Sequence, residues 1–66
     1  MTIGQRIKEL MEMMKLSQSG LAKKAGVSQA TVSDYENNEV REHRAHVLMK
    51  LAAALETTTD YIVNGT

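Results

Sequence analysis

Proline, cysteine, tryptophan and phenylalanine are absent from this 66-residue chain, and two tyrosines are its only large aromatic residues. Without cysteine, neither a disulfide nor a thiolate metal site can stabilise the fold, which suits a reducing cytoplasm. No apolar run approaches the ~20 residues that a membrane span requires, and the N-terminus lacks a signal-peptide pattern. The length allows one small domain over residues 1–66, which buries only roughly 60% of its unfolded surface.

Net charge is also absent, because eight lysine and arginine residues balance eight aspartate and glutamate residues. Many DNA-binding domains are basic, so a neutral chain argues against strong non-specific binding to nucleic acid. Sequence-specific binding is not excluded, because the local placement of charge matters more than its sum. The class of partner therefore has to be inferred from motifs.

The strongest local pattern covers residues 17–36, which contain two short helix patterns joined by a tight turn. Ser17 and Ser28 can each cap a helix, because a serine hydroxyl accepts a hydrogen bond from a free backbone N–H at the helix start. Gly26 lies between the helices, where a left-handed backbone costs glycine little. Two helices that cross steeply over so short a turn form a helix-turn-helix unit. Apolar pairs at the spacing of a hydrophobic staple flank both caps: Leu16 with Leu21, and Val27 with Val32.

Four residues of this unit follow the spacing Q-x3-A-x3-G-x5-V, namely Gln18, Ala22, Gly26 and Val32. The pattern resembles the helix-turn-helix of the Cro and repressor proteins of lambdoid phages, and of the wider xenobiotic-response-element regulators. The resemblance extends over residues 3–66 and implies an all-α, five-helix lambda-repressor-like DNA-binding domain. The unit at 17–36 would be central in that fold, with residues 28–37 as the recognition helix.

Helical patterns extend beyond the central unit, and no strand pattern is present. We expect methionine to fill gaps in the core, with a Met-rich partner surface as the alternative. An apolar stripe runs along the first helix through Ile3, Ile7, Leu10 and Met14. The predicted helices cover residues 2–15, 16–25, 27–37, 47–55 and 59–64, and residues 38–46 form a polar loop. Thr58 can cap the last helix, and Gly65 can end it.

Two positions depart from the resembled family. Where the family often has an arginine that pairs with the glutamate at Glu36, this chain has Met11, so Glu36 needs another partner or faces water. Gly20 replaces a glutamate that often completes the capping box in the family. Glycine inside a helix costs up to ~1 kcal/mol relative to alanine, so we expect this helix start to be weakened.

The second helix of the unit has a small polar outer face if Val32 and Tyr35 point inward. Such a face suits a major groove about 12 Å wide, although an ordinary solvated face has a similar composition. The residues expected to read bases are Gln29, Ala30, Ser33 and Asp34. The residues expected to contact phosphates are Gln18, Asn37, Arg41 and Arg44. The resemblance implies these roles except for Ser33, which rests on helix geometry, and the two arginines, which rest on charge.

The last predicted helix contains three consecutive apolar residues, Tyr61, Ile62 and Val63, which cannot all face one core on a single turn. We expect one or two of them to form a dimer interface, with simple core packing and an exposed residue as the alternative. Two copies on a two-fold operator, about 34 Å apart, would double the contacts with DNA. The prediction is therefore a transcriptional regulator, of the repressor or Cro type, that binds a palindromic operator as a homodimer.

Two other classes of function, a protein-interaction module and an enzyme, are the alternatives. An antitoxin-like module that mainly binds another protein is the alternative, because the neutral charge and the spare apolar residues also suit it. An enzyme is not expected, since no serine has a histidine at relay distance in this helical plan. His43 and His46 lack a third ligand, so neither a metal nor another cofactor is predicted. The expected partner is double-stranded DNA in the bacterial cytosol or nucleoid, without a small-molecule ligand or a membrane.

Overall fold

The computed structural model describes all 66 residues, which form five helices and no strand. The helices are α1 (Ile3–Met14), α2 (Gln18–Ala25), α3 (Gln29–Glu36), α4 (Ala45–Ala54) and α5 (Thr59–Asn64). They confirm the predicted all-α, five-helix architecture. None of them combines the length and the apolar character that crossing a membrane would require.

The helix starts differ most from the predicted bounds. The recognition helix covers Gln29 to Glu36 instead of 28–37, because Ser28 and Asn37 are its caps and lack helical backbone geometry. The α4 helix begins at Ala45, earlier than residue 47, and its N-cap Arg44 makes no side-chain capping hydrogen bond. Sequence patterns did not locate this start, since no serine, threonine, aspartate or asparagine marks it.

Serine caps determine where α2 and α3 begin, as predicted. Ser17 Oγ accepts a hydrogen bond from the Gly20 N–H at 3.0 Å, and Ser28 Oγ accepts one from the Thr31 N–H at 3.1 Å. Gly26 ends α2 with a left-handed backbone at φ 74°. The connection between the helices is therefore short, and α2 and α3 pack directly against each other.

The apolar stripe of α1 is rotated from its predicted position. The buried residues of this helix are Gly4, Ile7 and Met11, whereas the predicted stripe members Ile3, Leu10 and Met14 are only partly buried. The spacing 4-7-11 satisfies helical periodicity as well as the predicted set, but a glycine carries no apolar signal. Met11 fills the core as expected of a methionine, while Met13 is 72% exposed.

Asn38 connects the end of α3 to the start of α1. Its Oδ1 accepts a hydrogen bond from the Gly4 N–H at 3.0 Å, and its Nδ2 donates to Thr2 Oγ1 at 3.1 Å. The backbone of Asn38 is left-handed at φ 56°, a conformation that asparagine tolerates better than most residues. Thr2 and Gln5 also form a capping box at the start of α1. The recognition helix is thereby tied to the first helix at its C-terminal end.

Arg6 holds the last helix against the first. Its Nη1 donates to the carbonyl oxygens of Ile62 and Val63, at 3.1 and 3.0 Å, and so satisfies acceptors that the end of α5 leaves free. The Ile62 side chain is fully buried in the core. The prediction of Ile62 as a dimer-interface residue is therefore wrong, because the core already covers its whole side chain. Val63 is exposed, and Tyr61 is half-buried.

Candidate nucleic-acid interface

The α3 helix has one face inside the core and one face in solvent. Val32 is fully buried and Tyr35 is 3% exposed, so both pack inward as predicted. Both α2 and α1 pack against α3. The two neighbouring helices and these two buried side chains therefore fix which face of α3 points to solvent.

The outer face of α3 carries most of the predicted base-reading residues. Gln29, Ala30 and Asp34 are exposed, whereas Ser33 is half-buried. Asn37 Nδ2 donates to Ser33 Oγ at 3.4 Å, so the serine hydroxyl already has a partner within the protein. The structure thus brings four predicted residues onto one helix, with Ser33 the least accessible of them. Whether they read bases stays a prediction.

The starts of α2 and α3 leave backbone donors free. The serine caps occupy the N–H groups of Gly20 and Thr31, and the first two N–H groups of each helix have no acceptor within the protein. Free N–H groups and the helix dipole give such positions partial positive charge. Anions such as phosphate bind there without a cationic side chain.

Gln18, the first residue of α2, has a partner that sequence patterns did not identify. Its Nε2 donates to Glu36 Oε2 at 2.7 Å, and both side chains are only half-buried. The expectation that Glu36 needs another partner is met by this glutamine. The methionine at position 11, in place of an arginine, indicated that Glu36 needs a different partner. No local sequence pattern identified that partner as Gln18.

The loop between α3 and α4 contributes exposed cations. Arg41 and Arg44 are exposed and make no ion pair, since the one ion pair of the protein joins Lys24 Nζ to Glu56 Oε2 at 3.7 Å. The loop also makes a contact that was not predicted, because the ring of His43 lies 5.5 Å from the ring of Tyr35, centroid to centroid. That contact anchors the loop next to the recognition helix.

The exposed side of this arrangement has no cavity. The structure has no pocket, and no three His, Cys, Asp or Glu side chains are grouped to hold a metal ion. The surface instead carries an exposed polar helix face, two helix starts with free backbone donors and a cationic loop. A surface of this shape can enter a groove of a larger partner.

Two capped helices that pack across a glycine turn, with the second helix exposed along one face, define a helix-turn-helix domain. The helix-turn-helix family model matches residues 7–62, and the chain belongs to this family. It is 33% identical over 63 residues, 96% of its length, to the Repressor protein C2 of Salmonella phage P22. The chain covers 29% of the length of that relative.

Solved structures of DNA-binding proteins match the fold closely. The P22 c2 repressor in complex with a synthetic operator superposes with a TM-score of 0.92 at 32% identity, over 100% of this chain and 98% of that one. SinR, a master regulator for biofilm formation, superposes in its complex with DNA with a TM-score of 0.86 at 34% identity, over 92% of this chain and 97% of that one. The N-terminal DNA-binding domain of SinR from Bacillus subtilis superposes with a TM-score of 0.85 at 35% identity, over 91% of this chain and 87% of that one. The fold is therefore the lambda-repressor-like one that the resemblance implied, and these relatives give the antitoxin alternative no support.

Proposed function

We propose that this domain is a sequence-specific double-stranded DNA-binding transcriptional regulator of the phage repressor type. The single observation that carries the proposal is the division of α3, whose Val32 and Tyr35 are buried while Gln29, Ala30 and Asp34 are exposed. A helix with small polar residues outward fits the major groove of B-DNA. The similarity to the P22 c2 repressor solved with an operator, and to SinR solved with DNA, supports this reading. Its role is binding and not catalysis.

Anchoring on the DNA backbone is the first part of the mechanism. The free N–H groups at the starts of α2 and α3 receive phosphates, and Gln18 and Asn37 add side-chain donors. Arg41 and Arg44 supply positive charge from the loop that His43 holds beside Tyr35. These contacts set the register of the domain on the duplex but carry no sequence information.

Reading of base edges is the second part. A glutamine amide at Gln29 can pair with N6 and N7 of adenine, and the methyl group of Ala30 can contact a thymine methyl. The Ser33 hydroxyl can hydrogen-bond to a base edge as donor or as acceptor once its hydrogen bond with Asn37 is broken. Asp34 can accept from cytosine N4, and its repulsion by phosphates also rejects sites that lack this donor.

Two copies bind together in this proposal. A single small domain buries little surface on DNA, whereas two copies on a palindromic operator double the contacts. Tyr61 and Val63 are the α5 residues that remain available for the homodimer contact, because Ile62 belongs to the core. The complex acts where bacterial DNA is, in the cytosol or nucleoid.

Selection of bound sites from a random duplex library at moderate salt tests this function. We expect recovery of an inverted repeat with half-site centres about 34 Å apart. The variant Ala30→Glu should lose the selected site, because a carboxylate in the groove is repelled by phosphates. Ala53→Glu is the matched control, since Ala53 is an exposed alanine on α4. Recovery of no motif, or equal losses for both variants, would contradict the proposal.

A further inference from the structure

The hydrogen bond between Gln18 and Glu36 joins the start of α2 to the end of α3. Gln18 is the first residue of α2 and Glu36 is the last of α3. The separation of 2.7 Å between Gln18 Nε2 and Glu36 Oε2 is typical of a charge-assisted hydrogen bond, which is shorter and stronger than a neutral one. This bond therefore restrains a side chain that is otherwise free to adopt many rotamers.

Glu36 has no cationic partner that would explain its position. The one ion pair of the protein joins Lys24 and Glu56, so no lysine, arginine or histidine pairs with Glu36. An ionised carboxylate only accepts hydrogen bonds, so a donor such as the Gln18 amide is what it can use. The pairing is specific in direction, since Gln18 must present its Nε2 and not its Oε1.

The Gln18 amide keeps one donor for another molecule. A primary amide carries two N–H groups on its nitrogen, and the bond to Glu36 occupies one of them. The second N–H has no partner within the protein. The bond to Glu36 fixes the orientation of the Gln18 amide group, with its nitrogen toward the carboxylate. The second N–H is therefore already oriented before any partner binds.

We infer that Glu36 is a positioning residue for DNA binding, which orients the Gln18 amide so that its second N–H donates to a DNA phosphate. The inference rests on the proposed function. The negative charge of Glu36 has the opposite effect, because by itself it repels phosphates. A residue that only added negative charge would weaken binding, and its removal would strengthen binding. The two roles therefore predict opposite signs for the same substitution.

Four variants separate these roles in titrations of the selected operator. Glu36→Ala and Gln18→Ala should each weaken binding by about 2- to 10-fold, the scale of ordering one flexible side chain. The double variant should lose no more than either single one, because the two residues act as one unit. Glu36→Gln should bind like the unchanged protein, since its amide oxygen still accepts from Gln18. Glu12→Gln is the control for charge, because Glu12 is an exposed carboxylate on α1.

A phosphate-specific measurement distinguishes positioning from general stability. Neutral methylphosphonates replace the operator phosphates one at a time, and one position per half-site should weaken binding of the unchanged protein and of Glu36→Gln. In Gln18→Ala and Glu36→Ala the same replacement should cost less, because only the free backbone N–H groups at the start of α2 still reach that phosphate. If Glu36→Ala fails to fold, Glu36→Met keeps the length and the apolar stem without the acceptor.

The outcomes decide the inference and the function separately. If the unchanged protein selects an operator and Glu36→Ala binds as tightly or more tightly, the positioning role is overturned while the proposed function stands. Losses that multiply in the double variant would also overturn it, as would a full methylphosphonate penalty in Glu36→Ala and Glu36→Met. If the unchanged protein selects no operator, both the function and the inference fail.

Discussion

Gly4 of α1 packs against the carbonyl oxygen of Glu36 at the end of α3, and the approach leaves no space for a side chain. A Cβ on Gly4 would collide with that oxygen and would lie 2.7 Å from the carbonyl oxygen of Tyr35. The Gly4 N–H also donates to Asn38 Oδ1 at 3.0 Å. The absence of a side chain on α1 therefore sets how closely the first helix approaches the recognition helix.

The first prediction concerns this contact. Gly4→Ala should lower the free energy of unfolding by about 1–3 kcal/mol or more, because backbone atoms cannot move aside as a flexible side chain would. Gly20→Ala is the comparison, since its new Cβ would meet only side-chain atoms, Ser17 Oγ at 3.2 Å and Leu16 Cδ2 at 3.6 Å. The higher helix propensity of alanine offsets part of that crowding. Urea denaturation followed by circular dichroism measures both, and equal stabilities would refute the prediction.

The second prediction concerns base recognition. Gln29→Ala should cost about 1–3 kcal/mol on the selected operator and little on random duplex DNA, because a base contact is lost and phosphate contacts remain. Gln29 is exposed on α3, so the fold should tolerate the change. Fluorescence anisotropy on both duplexes provides the measurement. Equal losses on the two would remove Gln29 from the base-reading role.

The third prediction concerns the cationic loop. Arg41→Ala should weaken binding to all DNA sequences together and reduce the slope of log K against log salt by about 1. The reason is that a protein with one phosphate contact fewer releases fewer counterions when it binds. Lys8→Ala is the control, as Lys8 is an exposed cation on α1. Titrations at several salt concentrations give the slope. An unchanged slope for Arg41→Ala would count against a phosphate contact there.

The fourth prediction concerns the dimer. Val63→Lys should reduce cooperative binding to a two-half-site operator by about 1 kcal/mol or more, because it places a charge in an apolar contact. Binding to a single half-site should not change. Met13→Lys, at another exposed apolar position, is the control, since Met13 is 72% and Val63 38% exposed. Identical cooperativity in the Val63 variant would place the dimer contact elsewhere.

Local signals were sufficient to predict most of the helix-turn-helix. The caps at Ser17 and Ser28 and the left-handed Gly26 follow from residue types at fixed positions, since capping and turn conformation involve only a few neighbouring residues. The inward direction of Val32 and Tyr35 likewise follows from helical periodicity. The exposed positions of Gln29, Ala30 and Asp34 on α3 are the direct consequence.

Contacts between residues that are distant in sequence could not be predicted from such local signals. The stripe on α1 was misplaced because Gly4 gives no apolar signal, although it packs against the backbone at the end of α3. The partner of Glu36 is 18 positions away in sequence, and the partner of Asn38 is 34 positions away at Gly4. The pairing of His43 with Tyr35 depends on how an irregular loop folds back. Spacing within one helix contains no information on any of these.

The amino-acid sequence by itself determined the class of this protein and the caps and turn of its central helices, because caps, turns and periodicity act over a few residues. Tertiary structure decided which residue of each apolar run is covered. Of the neighbours Ile62 and Val63, only Ile62 enters the core, since α5 is held by Arg6 at one rotation against α1 and α4. It also decided that Gln18 binds Glu36, because that contact exists only once α2 and α3 have packed at their final angle.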